Sequence, residues 1–280
     1  MRITGIISTI SKVVKNITFN QILINSSGST YKYLFNLRAK LKGLQIRVAD
    51  KKGVYRFSEA NFPEITRESS AERQASMSYG NGFINRANTL ADSYMLNSIE
   101  FFDNDLIFDC GANVGDFKLW FDFNNINVSY TAFEPSPVEY KHLKNNLNKA
   151  QIFNIALWNK ESEIEFFVSS SYGDSSLIEP IDYTHKIKIP CKRLDSFITQ
   201  RVKLLKLEAE GAEPEILEGI GDKLGLIEYI SADLGFERGL SQESTLAPVT
   251  NYLLKRDFEL VKIAKGRLCV LFRNQSYYKN

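Results

Sequence analysis

The sequence predicts an α/β protein built on a mostly parallel, Rossmann-like sheet and preceded by a basic helical extension. Three observations carry this. From about residue 85 onward, apolar runs of strand length alternate with stretches of helical periodicity. One such run, Leu106 to Phe108, ends in Asp109 and opens at once into Cys110-Gly111-Ala112-Asn113-Val114-Gly115. Helical periodicity then resumes at Phe117, Leu119, Trp120 and Phe121. The next apolar run, Val128 to Phe133, ends in Glu134-Pro135, nineteen residues beyond Gly115. A strand, a glycine turn, a helix N-terminus and an acid on the next strand tip together suit a charged small molecule.

The elements follow in order. Ile3, Ile6, Ile7, Ile10, Val13, Val14 and Ile17 fall on one face of an amphipathic helix. Ser26-Ser27-Gly28-Ser29 reads as a loop, and Leu34, Leu37 and Leu41 as a second helix ending near Gly43. Gln45 to Ala49 and Val54 to Phe57 flank Asp50-Lys51-Lys52-Gly53 as a hairpin. The extension spans residues 1–84 and the α/β domain residues 85–280. Within the latter, Arg86 to Leu96 is a helix, Leu106 to Asp109 the first strand and Phe117 to Asp122 its helix. Tyr130 to Glu134, Val138 to Asn148 and Gln151 to Leu157 give strand, helix, strand. Ile164 to Val168 and Lys186 to Cys191 read as a ribbon beside the sheet. Val202 to Glu208 is the fourth strand, Pro214 to Ile220 its helix and Leu226 to Asp233 the fifth strand. Glu243 to Arg256, Leu260 to Ala264 and Leu268 to Phe272 complete helix, strand, strand.

At 280 residues the chain suits one large domain with a smaller appendage, and 44% hydrophobic with 24% charged residues is a globular composition. The net charge of +2 hides an asymmetry, since eight Lys and Arg but no Asp or Glu precede Asp50. Such a segment faces something anionic, or its apolar stripe packs on the protein's own body or on a second subunit. An anionic membrane surface is the sharper of these readings. No apolar run approaches the ~20 residues that span a bilayer, and no signal peptide is evident. Cys110, Cys191 and Cys269 are far apart and odd in number, which fits a reducing, cytoplasmic location, peripheral to the inner membrane face if the arm meets lipid. Cys110 reads as a small apolar residue under the loop rather than a nucleophile.

In the loop, Asn113 stands where a G-x-G-x-G motif has its middle glycine; asparagine is the next residue most tolerant of left-handed dihedrals. Glycine there lets backbone approach a ligand. Glu134 is placed to accept hydrogen bonds from ribose hydroxyls, while its plainer reading is a solvated strand end before a proline.

Five ordered segments make the chain resemble the FkbM family of S-adenosylmethionine-dependent methyltransferases. They are Asp109 to Gly115, Phe133-Glu134-Pro135-Ser136-Pro137, Asn154-Ile155-Ala156-Leu157, Arg193-Leu194-Asp195-Ser196-Phe197 and Leu205 to Glu213. The resemblance covers about residues 100 to 220. It implies the seven-stranded, class I methyltransferase form of the Rossmann-like fold, with S-adenosylmethionine as cofactor and a hydroxyl of a surface glycan or its precursor as acceptor. The family usually has aspartate where this chain has Glu208, which moves the carboxylate by about an ångström.

On that resemblance Gly111, Asn113 and Gly115 hold the methionine part of the cofactor, Asp109 orients it and Glu134 holds its ribose. Asn154 and the backbone at Ala156 lie near the adenine, although a polar cap on a strand end explains Asn154 as well. Lys206 and Glu208 lie two apart on one strand face and Glu210 follows in the turn; these three are the catalytic candidates. Glu213 is explained by its place in a first helical turn. Asp233, Glu237 and Arg238, at or past the end of the fifth strand, are the acceptor-binding candidates. His142, expected on an exposed helix, and His185, before a peripheral strand, are not expected to be the base. No His/carboxylate spacing is diagnostic of a metal, so a divalent ion on Glu208 or Asp233 is allowed but unsupported. An NAD-dependent oxidoreductase shares the glycine loop and distal carboxylate but leaves the Lys206-to-Glu213 segment unexplained. A non-enzymatic module docked on a membrane or partner requires an empty cofactor site. Homo-oligomers are open; nucleic acid is not expected.

Overall fold

The computed structural model describes residues 19–147, 149–169 and 175–277. The apolar stripe from Ile3 to Ile17 therefore lies outside the described residues. Among the described residues no helix is long and apolar enough to cross a membrane. The chain divides into two compact units, Met1–Phe83 and Ile84–Asn280.

In the first unit, residues 19–24 are helical and α1 (Gly28–Leu41) begins inside the stretch expected to be a loop. Its Tyr31, Phe35 and Ala39, four apart, form the buried stripe. Strands β1 (Ile46–Lys51) and β2 (Val54–Glu59) pair antiparallel through a two-residue turn. Lys52 and Gly53 both have positive φ there, at 55° and 81°, which is the turn whose twist matches the flanking strands. A third strand, β3 (Phe62–Ser69), completes the sheet as an edge. The sequence hides it because Pro63 interrupts the alternation, and an edge is where a strand tolerates proline. Helix α2 (Glu72–Tyr79) also escaped the reading, being short and mostly polar. The core is aromatic, with Tyr31 against Tyr55 (centroids 4.7 Å), Phe35 against Phe57 (5.3 Å) and Phe57 against Tyr79 (4.8 Å).

The second unit is a seven-stranded sheet. Helix α3 (Phe83–Ser93) ends as Met95 turns left-handed (φ 56°), short of the expected Leu96. Strand β4 (Leu106–Cys110) leads through a single 3-10 turn into the short α4 (Leu119–Phe123). Strand β5 (Ser129–Phe133), α5 (Pro137–Asn146) and β6 (Gln151–Phe153) follow. His142 is buried on α5 beside Leu143 and Asn146, which corrects the expectation of an exposed helix face.

The expected third strand, Gln151 to Leu157, is two strands. Its second part, β7 (Ala156–Leu157), leaves the main sheet and pairs with β9 (His185–Lys192), which also carries β8 (Ser162–Val168) antiparallel. Strand β10 (Val202–Leu207), α6 (Glu213–Ile220) and β11 (Ile227–Asp233) complete the parallel part. The expected helix Glu243 to Arg256 begins later, as α7 (Leu246–Leu254). Glu243–Ser244 (β13) instead pairs with Phe236–Arg238 (β12) in a small ribbon. Strands β14 (Phe258–Ile263) and β15 (Cys269–Asn274) close the sheet.

The strand order is β14-β15-β11-β10-β4-β5-β6, with β15 antiparallel to both neighbours. This is the Rossmann-like class I order. Strand order reverses between β4 and β10, so the C-terminal ends of β4, β5, β10 and β11 meet along one sheet edge, where such sheets bind ligands. The strand interiors are mostly apolar, as a sheet covered on both faces requires: Ile107, Phe108, Leu204, Leu205, Leu207 and Ile230 are all buried, and Asp109 and Lys206 are charged exceptions near the strands' C-terminal ends.

Tyr55 links three elements of the first unit: its hydroxyl accepts the Gly28 N–H (2.7 Å) and donates to Glu72 Oε1 (2.7 Å). Tyr55→Phe should lower the unfolding free energy by about 1–3 kcal/mol, because a buried donor loses its partner. Denaturant unfolding of the full chain measures this, and an unchanged midpoint would show that the hydroxyl contributes nothing.

Candidate active site

The loop after β4 is held from three sides. The Gly111 and Ala112 N–H groups both donate to the Phe133 carbonyl at 3.0 Å, latching the loop to β5. Gly111 has φ +75°, and a Cβ there would lie 1.8 Å from the Glu208 carbonyl oxygen. The space reserved by sequence reasoning for an approaching ligand is thus filled by the end of β10. Gly115 (φ +86°) would place a Cβ 2.8 Å from the side chains of Leu143 and Leu147, so it admits α5 to close packing. Asn113 takes the left-handed conformation (φ 50°) expected of it.

Glu134 is the fourth anchor. Its Oε2 accepts the Asn113 N–H at 2.7 Å and its Oε1 the Ser136 N–H at 2.8 Å. Burial pushes its carboxyl up to about 8, with Glu139 adding to the rise while both N–H donors and Lys206 oppose it. Asn154 donates its amide to the Glu134 carbonyl (2.8 Å) and to that of Pro135 (3.0 Å), so it fixes the turn carrying Glu134.

Beneath the loop lies a buried ion cluster. Lys206, 3% exposed, directs its ammonium at the Gly111 carbonyl (2.6 Å), the Cys110 carbonyl (3.3 Å), Asp109 Oδ1 (3.1 Å) and Glu208 Oε2 (2.9 Å). The Tyr94 ring lies 5.5 Å from its nitrogen. Asp109, fully buried, also accepts the Tyr130 hydroxyl on Oδ2 at 2.5 Å. Burial works against the Lys206 charge, but Asp109 and Glu208 outweigh it and raise its pKa. Burial likewise opposes ionised Glu208, yet Lys206 and Arg267 hold it down to about 2. Arg267, in the turn between β14 and β15, pairs with Glu208 Oε1 at 2.5 Å, with Asp233, and with Glu237 at 3.8 Å. Burial raises Asp233, and burial together with the Asp233 charge pushes Glu237 up to about 7.

The structure therefore brings Asp109, Gly111, Lys206, Glu208, Asp233 and Glu237 into one connected cluster, with Asn113, Glu134 and Asn154 in the adjoining turn. Other candidates are engaged elsewhere. The Ala156 side chain is buried in the small sheet among Phe166, Ile189 and Cys191. Arg238 binds both oxygens of Glu215 (2.9 and 2.6 Å) and the Gly211 carbonyl. Glu210 is left-handed (φ 49°), and its carbonyl accepts the Ser176 hydroxyl at 3.1 Å. Glu213 does more than favour a helix dipole: it accepts the Ala209 N–H (2.8 Å) and the Thr245 hydroxyl (3.0 Å), closing the turn after β10. Sequence reasoning missed Arg267, Tyr94 and Tyr130. Arg267 had one signal, its place in a short turn between two strands of the same sheet.

The residues fit the cofactor implied by the family resemblance. Asn113 Oδ1 is buried with no hydrogen-bond partner among the described residues, an acceptor that an amino or hydroxyl group would satisfy. Glu134 supplies a carboxylate two bonds short of its full acceptor capacity. The Cys110 thiol, raised well above its ordinary range by burial, is no nucleophile. Among the described residues no group of three or more His, Cys, Asp or Glu could hold a metal.

Gly111→Ala should cost about 3 kcal/mol or more, since overpacking against backbone adds to strain at positive φ. Chemical unfolding tests it; a loss below about 1 kcal/mol would contradict the close approach of Glu208.

Residues 109–260 match the methyltransferase FkbM domain. "Methyltransferase 1" of Beauveria bassiana (strain ARSEF 2860) is 26% identical over 167 residues, 49% of this chain and 67% of that protein. Among solved structures, a SAM-dependent methyltransferase from Aquifex aeolicus is 10% identical, covering 65% of this chain and 87% of that one, at a TM-score of 0.40. M. capricolum TrmK with S-adenosyl-homocysteine is 11% identical, covering 68% of each chain, at a TM-score of 0.37. Likeness at that level contributes nothing to the assignment, which rests on the domain match and agrees with the strand order. The chain belongs to the FkbM family of S-adenosylmethionine-dependent methyltransferases.

Proposed function

We propose that this S-adenosylmethionine-dependent methyltransferase methylates oxygen, on a sugar hydroxyl of a surface glycan or its precursor. The observation that carries the choice is the carboxylate cluster at the ends of β10 and β11. Glu208, Asp233 and Glu237 gather there, and the cations near them, Lys206, Arg267 and Arg238, are each already paired with carboxylates. Within this cluster Glu237 keeps an exposed face that can accept a hydroxyl, and with its cations engaged the site offers little to a polyanion, which needs free Lys and Arg to neutralise phosphates. A neutral, hydroxyl-rich acceptor suits it, and family resemblance supplies the glycan class.

When bound, the cofactor supplies a methyl group already activated by its sulfonium. The chain's own residues then have three tasks. Glu134 accepts the ribose hydroxyls, and Asn113 Oδ1 accepts from the amino end. Lys206 holds the loop that presents Asn113, whose backbone N–H in turn fixes Glu134. A carboxylate takes the acceptor's proton, because a neutral hydroxyl must lose it to form an ether.

The test begins with the cofactor. S-adenosylmethionine should raise the melting temperature of the chain while NAD(H) does not. Glu134→Ala should weaken that binding by about 1–3 kcal/mol, the cost of leaving ribose hydroxyls in the site without a hydrogen-bond partner. A screen of labelled methyl transfer over sugar nucleotides, glycans and RNA then assigns the acceptor; transfer to RNA alone would overturn the glycan reading.

A further inference from the structure

We propose that Glu237 is the base that takes the acceptor's proton, and that Glu208, the carboxylate favoured by sequence, is a positioning residue. The inference rests on methyl transfer to a hydroxyl, as above.

An account of the carboxylate oxygens separates the candidates. Glu208 has both oxygens on cations, Oε1 on Arg267 at 2.5 Å and Oε2 on Lys206 at 2.9 Å. A proton arriving there must displace a buried ion pair. Asp233 is 1% exposed, pairs with Arg267 and accepts the Gly235 N–H on Oδ1 at 3.1 Å. Asp233 is too buried to meet a substrate hydroxyl, and Glu208, 22% exposed, has both oxygens already held by cations. Glu237 differs on both counts: its ion-pair contact is a long 3.8 Å, and its side chain is 34% exposed.

Glu237 is also placed by the fold. It follows β11 by four residues, on the short strand β12 that pairs with β13. Gly235 lies between the two acids; a Cβ there would be 3.3 Å from Asp233 Oδ1 and 3.5 Å from Glu237 Oε1. The missing side chain lets the two carboxylates converge on the same spot. The groups facing Glu237 are Asp233 from the end of β11, Arg267 from the β14–β15 turn, Glu208 from the end of β10 and Glu213 from the first turn of α6. Burial and the three acids raise Glu237 to about 7, against the pull of Arg267. A base tuned near the working pH accepts a proton in the transition state far better than one held at about 2, where Glu208 stands.

The step balances simply. The acceptor O–H bond breaks and its proton passes to a Glu237 carboxylate oxygen. The acceptor oxygen's electron pair forms the new O–CH3 bond. The C–S bond breaks with its electrons kept by sulfur, leaving a neutral thioether, a methyl ether and a protonated Glu237. Arg267, shared by all three acids, becomes more fully available to Asp233 and Glu208 as the Glu237 charge disappears.

Two measurements on the full chain test this. Carbon-13 NMR of the glutamate side-chain carboxyls should show a resonance titrating near pH 7, distinct from that of Glu134 nearer 8, that disappears in Glu237→Gln. A Glu237 midpoint below about 5, in the ordinary carboxylate range, overturns the proposal whatever the acceptor. The second uses S-adenosylmethionine labelled in the methyl group and a panel of methyl hexopyranosides as probe acceptors. Glu237→Gln should lower kcat by about a hundredfold or more and abolish the acid limb of the pH profile, with cofactor affinity unchanged. Glu237→Asp should restore part of the rate, and Glu208→Gln should keep the acid limb even if slower. An acid limb that survives in Glu237→Gln overturns the assignment. A chain that binds the cofactor but methylates no hexopyranoside counts against the glycan acceptor, and the carboxyl titration then decides the base.

Discussion

One buried ammonium organises the functional half of this protein. Lys206 leaves water almost completely, which costs several kcal/mol, and it is tolerable only because two carboxylates and two carbonyls surround it. Those four groups come from two places: Asp109, Cys110 and Gly111 from the end of β4, and Glu208 from the end of β10. The same two strand ends are joined by backbone, since the Glu208 N–H donates to the Cys110 carbonyl at 3.1 Å. The glycine at 111 is the steric condition for this junction, because any side chain would strike the Glu208 carbonyl. Charge, hydrogen bonding and shape thus agree at one point, and the loop that leaves it is aimed as a consequence.

Downstream of that point the site divides into two halves with different electrostatics. On the β5 side Asn113 and Glu134 lock together through a backbone N–H, leaving one buried amide oxygen and one crowded carboxylate to meet a ligand. On the β11 side a second cation, Arg267, is distributed over three acids at unequal distances. The inequality separates roles: two carboxylates are held ionised or buried, and one, Glu237, retains an open face. A strong pair does structural work while a weak one leaves a group able to change its charge.

The main sheet was legible because its strands are continuous apolar runs and its turns are marked by glycine, proline and acids. The glycine loop and Glu134 were legible for the same reason. What escaped was non-local. Arg267 lies 59 positions from Glu208, and no pattern near either reveals that the β14–β15 turn folds back onto β10. The split of Gln151 to Leu157 into two strands escaped because Ala156 and Leu157 are as apolar as a continuing strand would be; only their pairing with β9 shows that the chain has changed sheets. The buried state of His142 escaped because its neighbours Lys141 and Lys144 read as a solvated face. Glu208 was singled out by its place at the end of β10, but its electrostatics depend on cations supplied from residues 206 and 267 together, and only one of them was in view.

The central claim is that the Lys206 ammonium, rather than packing alone, joins β4 to β10. Denaturant unfolding of Lys206→Met at neutral pH tests it most directly, because methionine keeps the apolar stem and removes only the charge. The account predicts a loss of about 3–5 kcal/mol, the usual result of leaving buried carboxylates without their cation. A variant as stable as the parent chain, within about 1 kcal/mol, would contradict it and leave the junction to apolar packing and backbone hydrogen bonds.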